Sequence, residues 1–221
     1  MENYKIIGTS HVSKDSKKQI KETFFEFEPD SIAVELDLNR FQSLKNNKTS
    51  GKPSFKLIKE VGLTGFLFAI IAGFLQKRIG RILKVQPGSE FLLSANLAKN
   101  NNLRLYLIDR DIRITLKRIN KNMGWKEKLK IVKEIIWPFN KKKIKFDVSK
   151  VPEDELVKKL TFEMKKEYPG IYKALVDERN QHMAKQVAGI MKKWPEEKIL
   201  VVIGAGHKEG FEEYLKEYLK S

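Results

Sequence analysis

Histidines and carboxylates, the side chains that ligate cations and move protons, recur in matching contexts along this chain. IIGTSH at 6–11 and VIGAGH at 202–207 each put a histidine three residues after a glycine, behind a β-branched run, and use two of the chain's 3 histidines. VELD at 34–37 carries Glu35 at the end of another β-rich run, and PGSE at 87–90 places Glu90 at an expected helix start. His11 and His207 with Glu35 make a donor set of neutral nitrogens and a carboxylate for a divalent cation, which acidifies water and polarises a carbonyl. Glu90 is then a further ligand or a general base. The same three residues also suit metal-free chemistry, one as general base and the others orienting it.

Other reactive types are clustered too. IDRD at 108–111 combines Asp109, Arg110 and Asp111. Arg110 suits a substrate carboxylate, while the aspartates serve equally as site residues or as ion pairs anchoring the helix that starts there. In DERNQHM (177–183), Glu178 and His182 at i, i+4 read as a surface contact, and Arg179 is free to point at the site. The patterns H-E-x-x-H, G-x-S-x-G, P-loop and G-x-G-x-x-G are all missing from the sequence.

These residues need elements to hold them. KIIG (5–8) is a short strand, followed by a helix that Ser13 caps and that carries Ile20, Phe24 and Phe27 on one side. SIAVELD (31–37), LRLYLID (103–109) and KILVVIGAG (198–206) are three more strands, the last apolar enough to be buried on both faces. The first two strands, joined by a helix, suggest a parallel pair. Leu38 to about Ser50 reads as polar and turn-rich, and Pro53 to Lys84 as helical. Ser89 caps a helix to about Lys99, and DIRITLKRIN, WKEKLKIVKEIIW, 151–168, 171–194 and GFEEYLKEYL are further helices. GTSH (8–11), VELD (34–37), IDRD (108–111) and GAGH (204–207) all fall at the C-terminal end of a strand, the ligand edge of an open parallel sheet. The expected fold is α/β, one domain over 1–221: a central, mostly parallel sheet, flanked and capped by helices inserted at about 41–101 and 111–194.

Composition narrows the chemistry. With 221 residues the chain can bury a real core, and with no cysteine it has no disulfides, thiolate ligands or thiol nucleophile. Lys+Arg of 44 against Asp+Glu of 28 leaves a net charge of +16, concentrated between Lys117 and Ser149, where NKKKIK (140–145) reads as a mobile linker. No aromatics alternate with these lysines and no nucleic-acid motif accompanies them, so a solvated basic face is preferred over nucleic-acid binding. MENYKIIG lacks the apolar core of a secretory signal, which fits a cytoplasmic protein. VGLTGFLFAIIAGFLQ (61–76) is uncharged but short for a membrane span, and its small residues at helical spacing suit a core or homodimer-interface helix.

Taken in order, GTSHVSKDS (8–16), IAVELDLNR (32–40), PGSEF (87–91), IDRDIRITLKR (108–118), DERNQHMA (177–184) and VVIGAGHKEG (201–210) resemble the TraB/PrgY family, related to Tiki and GumN-like proteins. The resemblance spans nearly the whole chain. It implies a fold shared with erythromycin-esterase-like and ChaN-like proteins. It also implies a metallopeptidase-like site, manganese-type with cobalt or zinc as alternatives, whose two GxxH histidines are His11 and His207 and whose glutamate is Glu35. Glu90, Asp109 to Asp111 and Arg179 occupy the family's other motif positions. PrgY-type members are linked to shutting down peptide pheromones, which suggests peptide substrates. Many relatives continue into C-terminal membrane segments, so membrane association is an expectation for a longer parent chain. The function expected is a metal-dependent hydrolase acting on peptides; the alternative from another class is a protein that sequesters a peptide or haem-like ligand intact.

Overall fold

The computed structural model describes residues 3–9, 14–46, 88–136 and 153–221. Four strands, β1 (Tyr4–Thr9), β2 (Ser31–Val34), β3 (Arg104–Leu107) and β4 (Ile199–Gly204), form one sheet in the order β1-β4-β2-β3, with every neighbouring pair parallel. The first two strands are therefore parallel but not paired. The last strand enters between them, because its side chains are apolar on both faces and only a central position buries both. All six residues of β4 are buried, whereas β3 at the sheet edge keeps its residues partly exposed.

Register puts Gly8 and Gly204, the glycines of the two glycine–histidine motifs, one step apart on neighbouring strands. Gly8 pairs with Ile203 and Thr9 with Gly204, while Val34 of β2 pairs with Val202 on the other side of β4. The opposite rim is tied together where Asp30 accepts from the Lys198 backbone N–H at 2.8 Å.

Helices cover both faces. Ile7, Ile32, Val34, Leu200 and Val202 face α1 (Lys14–Phe27) through Ile20 and Phe24, and α3 (Ser89–Asn100) through Phe91 and Ala98. Ala33, Ile199, Val201 and Ile203 face α8 (Glu178–Lys193) through Met183, Ala184 and Val187, and α9 (Ala205–Lys220) through Phe211 and Leu215. Alternation along each strand sends successive side chains to opposite layers. Each large apolar side chain so buried contributes about 1.5–3 kcal/mol.

The segment after β2, read from sequence as turn-rich, is helical over α2 (Leu38–Lys45). Asp37 starts it by accepting from the backbone N–H groups of Asn39 at 2.9 Å and Arg40 at 3.1 Å, and Phe41 and Leu44 pack it against the apolar layer of the sheet. Ser89 is the first residue of α3 rather than its cap; Gly88 precedes it in the left-handed region at φ 92°. Three helices lie further out: α4 (Ile112–Asn122), α5 (Trp125–Ile136) and α6 (Glu153–Glu167). The helix expected over 171–194 runs unbroken from Pro169 to Lys193, with α7 (Pro169–Tyr172) and α8 joined through a π-helical turn at Lys173–Asp177. Ile171 and Ala174 pack there against Leu116, Ile119 and Met123 of α4 in a small separate core. The last helix starts at Ala205, so His207 lies in its first turn rather than in a loop.

His11, Ser13, the helix expected at 53–84 with its apolar segment 61–76, and the lysine run 140–145 lie outside the described residues.

Candidate functional site

Glu35 follows β2 directly and is 3 % exposed. Its backbone N–H donates to the Val202 carbonyl at 3.1 Å, continuing the β2–β4 ladder by one residue. Its side chain therefore stands at the C-terminal end of the sheet, where Oε2 accepts from the Gly204 N–H at 2.7 Å. Gly204 has an ordinary φ of −64°, so its use is not a strained turn but the chain's direct passage from β4 into α9. The glycine of the first motif has a steric role: a Cβ on Gly8 would lie 3.3 Å from the Ala205 Cα and 3.1 Å from the Lys208 Cδ. β1 thus packs tightly against the start of the helix that carries His207.

Arg179 is the centre of the cluster. Its Nη2 donates to Glu35 Oε1 at 2.5 Å and to Asp109 Oδ2 at 2.6 Å; its Nε donates to Asp109 Oδ1 at 3.1 Å. Its Nη1 donates to the Leu175 carbonyl at 3.1 Å and faces His207 Nε2 at 2.8 Å. Burial weakens the charged form of Arg179, but Glu35 and Asp109 outweigh it and hold the guanidinium proton above its ordinary value. A guanidinium can only donate, so His207 Nε2 accepts and the imidazole carries its proton on Nδ1. That nitrogen lies 2.7 Å from Asn180 Oδ1 and donates to it. Glu35 Oε1 and His207 Nε2 stand 3.4 Å apart.

The π-helical turn explains how Glu178, Arg179 and Asn180 serve three partners in succession. The Glu178 N–H reaches back five residues to the Lys173 carbonyl, and the widened turn leaves carbonyls for side chains. Arg110 Nη2 takes Ala174 O at 3.0 Å, and Arg179 takes Leu175 O.

The remaining expected residues divide. Arg110 turns toward the π-helical turn, donating to Thr115 Oγ1 at 3.2 Å and Glu178 Oε2 at 3.1 Å. Glu178 also accepts from Arg118 Nε at 2.8 Å and Asn122 Nδ2 at 2.9 Å. Burial pushes its carboxyl up, but the hydrogen bonds from Arg118, Asn122 and Arg110 outweigh this and hold it below the ordinary range. Asp111 caps α4, and its hydrogen bonds with Arg113 hold it below the usual carboxylate range. His182 is half-buried, and burial depresses its pKa by more than the nearby Asp109 restores. Glu90 is 2 % exposed in the first turn of α3.

Asp109 and Asn180 complete the cluster. Asp109 is ambiguous on sequence grounds, and Asn180 carries no motif of its own. Its one signal is position: it heads the apolar stripe Met183, Ala184, Val187 of α8, where a polar side chain needs a buried partner. Among the described residues no three His, Asp or Glu side chains form a ready metal group.

Fold and site together define a parallel α/β protein whose strand ends converge on a buried carboxylate–guanidinium–imidazole cluster. The TraB/PrgY/gumN family model matches residues 3–220, and the chain belongs to that family. It is 38% identical over 215 residues to an uncharacterized protein of Methanocaldococcus jannaschii, covering 96% of this chain and 53% of that one. It is 26% and 25% identical over 233 residues to the TraB domain-containing proteins of Mus musculus and Homo sapiens, covering 94% of this chain and 61% of each of them. The chain thus spans between half and two thirds of the length of these relatives.

Proposed function

We propose that this chain is a hydrolase acting on peptides, with a divalent cation, manganese first, held by His207, Glu35 and His11. The observation that carries this reading is the pair His207 Nε2 and Glu35 Oε1, 3.4 Å apart, with the imidazole proton on Nδ1 toward Asn180 so that Nε2 is the unprotonated nitrogen. These two groups, with His11, would hold the ion. A bound cation supplies Lewis acidity, making water more acidic and a carbonyl more electrophilic.

The protein's own groups do the rest. Glu35 accepts from the Gly204 N–H and from Arg179, which hold its carboxylate in place. Arg179, buried, gives its five N–H groups to Asp109, Glu35, His207 and the Leu175 carbonyl, and so fixes the carboxylate and the imidazole against each other. Glu90 is assigned as general base for water. Peptides as substrates rest on the family resemblance.

A second reading, a metal-free His/Glu hydrolase, has its own support. Arg179 already occupies the lone pairs of His207 Nε2 and Glu35 Oε1, so a cation and this guanidinium are alternative partners for those atoms.

Thermal shift across manganese, cobalt, zinc and magnesium, on wild type and on His11→Ala/His207→Ala, tests the site. Stabilisation by a metal that the double variant loses is expected, together with cleavage of a peptide library that a chelator stops. Cleavage that survives chelation favours the metal-free reading. Peptides recovered intact under every condition overturn the hydrolase and favour sequestration.

A further inference from the structure

We infer that Asn180 is a positioning residue that, together with Arg179 on the other ring nitrogen, sets the tautomer of His207, and that Gly210 is part of the same device because it makes the room in which Asn180 sits. The purpose of the device rests on the hydrolase reading; its existence does not.

Four observations meet here. Asn180 is 2 % exposed and His207 8 % exposed, so neither exchanges its partner for water without cost. Asn180 Oδ1 lies 2.7 Å from His207 Nδ1, the geometry of a full N–H···O bond. On the other side of the ring Arg179 Nη1 lies 2.8 Å from Nε2. The imidazole is thus gripped at both nitrogens by groups of opposite hydrogen-bonding sense. Finally, a Cβ on Gly210 would fall 2.5 Å from Asn180 Nδ2, closer than real Cβ contacts come.

His207 and Gly210 are three residues apart in α9 and share one side of it. Any side chain at 210 pushes on the Asn180 amide and moves its oxygen off Nδ1. The amide is the right chemical choice as well as the right size. Its oxygen accepts from Nδ1–H without adding charge, so the excess negative charge of Glu35 and Asp109 over Arg179 is not increased. With the proton held on Nδ1, the Nε2 lone pair accepts from Arg179, and a cation or a proton from substrate water reaches it by displacing that guanidinium N–H. In the opposite tautomer Nε2–H would face Arg179, donor against donor, and that lone pair would be lost.

The test reads the ring nitrogens directly, without metal or substrate. Long-range ¹H–¹⁵N correlation on labelled protein, at a pH where imidazoles are neutral, separates Nδ1–H from Nε2–H; the chain's 3 histidines are assigned with a His207→Gln variant. Wild-type His207 is expected as Nδ1–H. Asn180→Ala should move the two nitrogen shifts part of the way toward Nε2–H, since Arg179 still opposes that tautomer; Asn180→Asp should restore Nδ1–H, and Gly210→Ala should shift in the same direction as Asn180→Ala. Gly189→Ala, on the exposed side of α8 with nothing within 4 Å of its Cβ, should leave the spectrum unchanged. An Nε2–H signal in wild type, or an unaltered Nδ1–H signal in both Asn180→Ala and Gly210→Ala, overturns the inference. If Asn180→Ala fails to fold, Gly210→Ala carries the test. Protein that shows the expected tautomers but binds no metal and cleaves nothing refutes the proposed function and leaves this one standing.

Discussion

At the level of single residues, Arg179 holds together a cluster that could not otherwise be buried. Glu35 and Asp109 are both close to fully buried and share one guanidinium nitrogen. Arg179→Met leaves two carboxylates without it and should cost about 3–5 kcal/mol in urea unfolding at neutral pH; a loss below about 1 kcal/mol would show that water or other groups replace it. Glu178 gives a pH dependence with a defined sign. Its folded pKa is depressed from an ordinary 4.5, so its stabilisation is complete above that value and is lost as pH falls through the lower folded value. Wild type should therefore exceed Glu178→Gln by about 1.5–3 kcal/mol at pH 7, and the gap should close in the acid range. A gap that widens on acidification contradicts the assignment. These partners are only half legible in the sequence. Glu35, Arg179 and His207 stand in recognisable contexts, but that Arg110 faces Glu178 while Arg179 faces Glu35 depends on the π-helical turn, for which KALVD has no distinctive composition.

Elements show local chemistry deciding against the average. The stretch from Leu38 has the polar composition of a loop, yet Asp37 caps it and it coils. Asp37→Ala should cost about 1 kcal/mol, with the loss confined to α2 in amide exchange. Gly88, at φ 92° and so placed that a Cβ would lie 2.9 Å from Leu44 Cδ1, joins the entry of α3 to α2. Gly88→Ala should destabilise by at least about 1–2 kcal/mol, because strain and crowding act together. Gly189→Ala, in an exposed helix interior, should instead stabilise by about 0.5–1 kcal/mol. Equal thermal shifts for the two glycine variants would contradict both arguments. Strand positions are readable because β-branched runs bounded by glycine and proline leave little choice; helix starts are less so, since a single cap shifts them.

For the molecule as a whole, the position of β4 is the organising fact. It pairs with β1 and β2, and its alternate residues belong to the two apolar layers. Amides of β4 and β2, paired on both sides, should exchange more slowly than those of the edge strands β1 and β3; β3 protection matching β4 would argue against this order. No helix among the described residues is long and apolar enough to cross a membrane. Local pattern is enough to specify an α/β chain of four strands with reactive residues at their C-terminal ends, because hydrophobic period, glycine and proline act over a few residues. The family motifs are legible at the same range. Long-range packing was needed to settle that β4 lies between β1 and β2, that Arg179 rather than Arg110 joins Glu35 to His207, and that Asn180 and Gly210 seat the imidazole. Those outcomes depend on contacts between residues distant in the chain, where the deciding quantities are burial, charge balance and the space left by one missing Cβ.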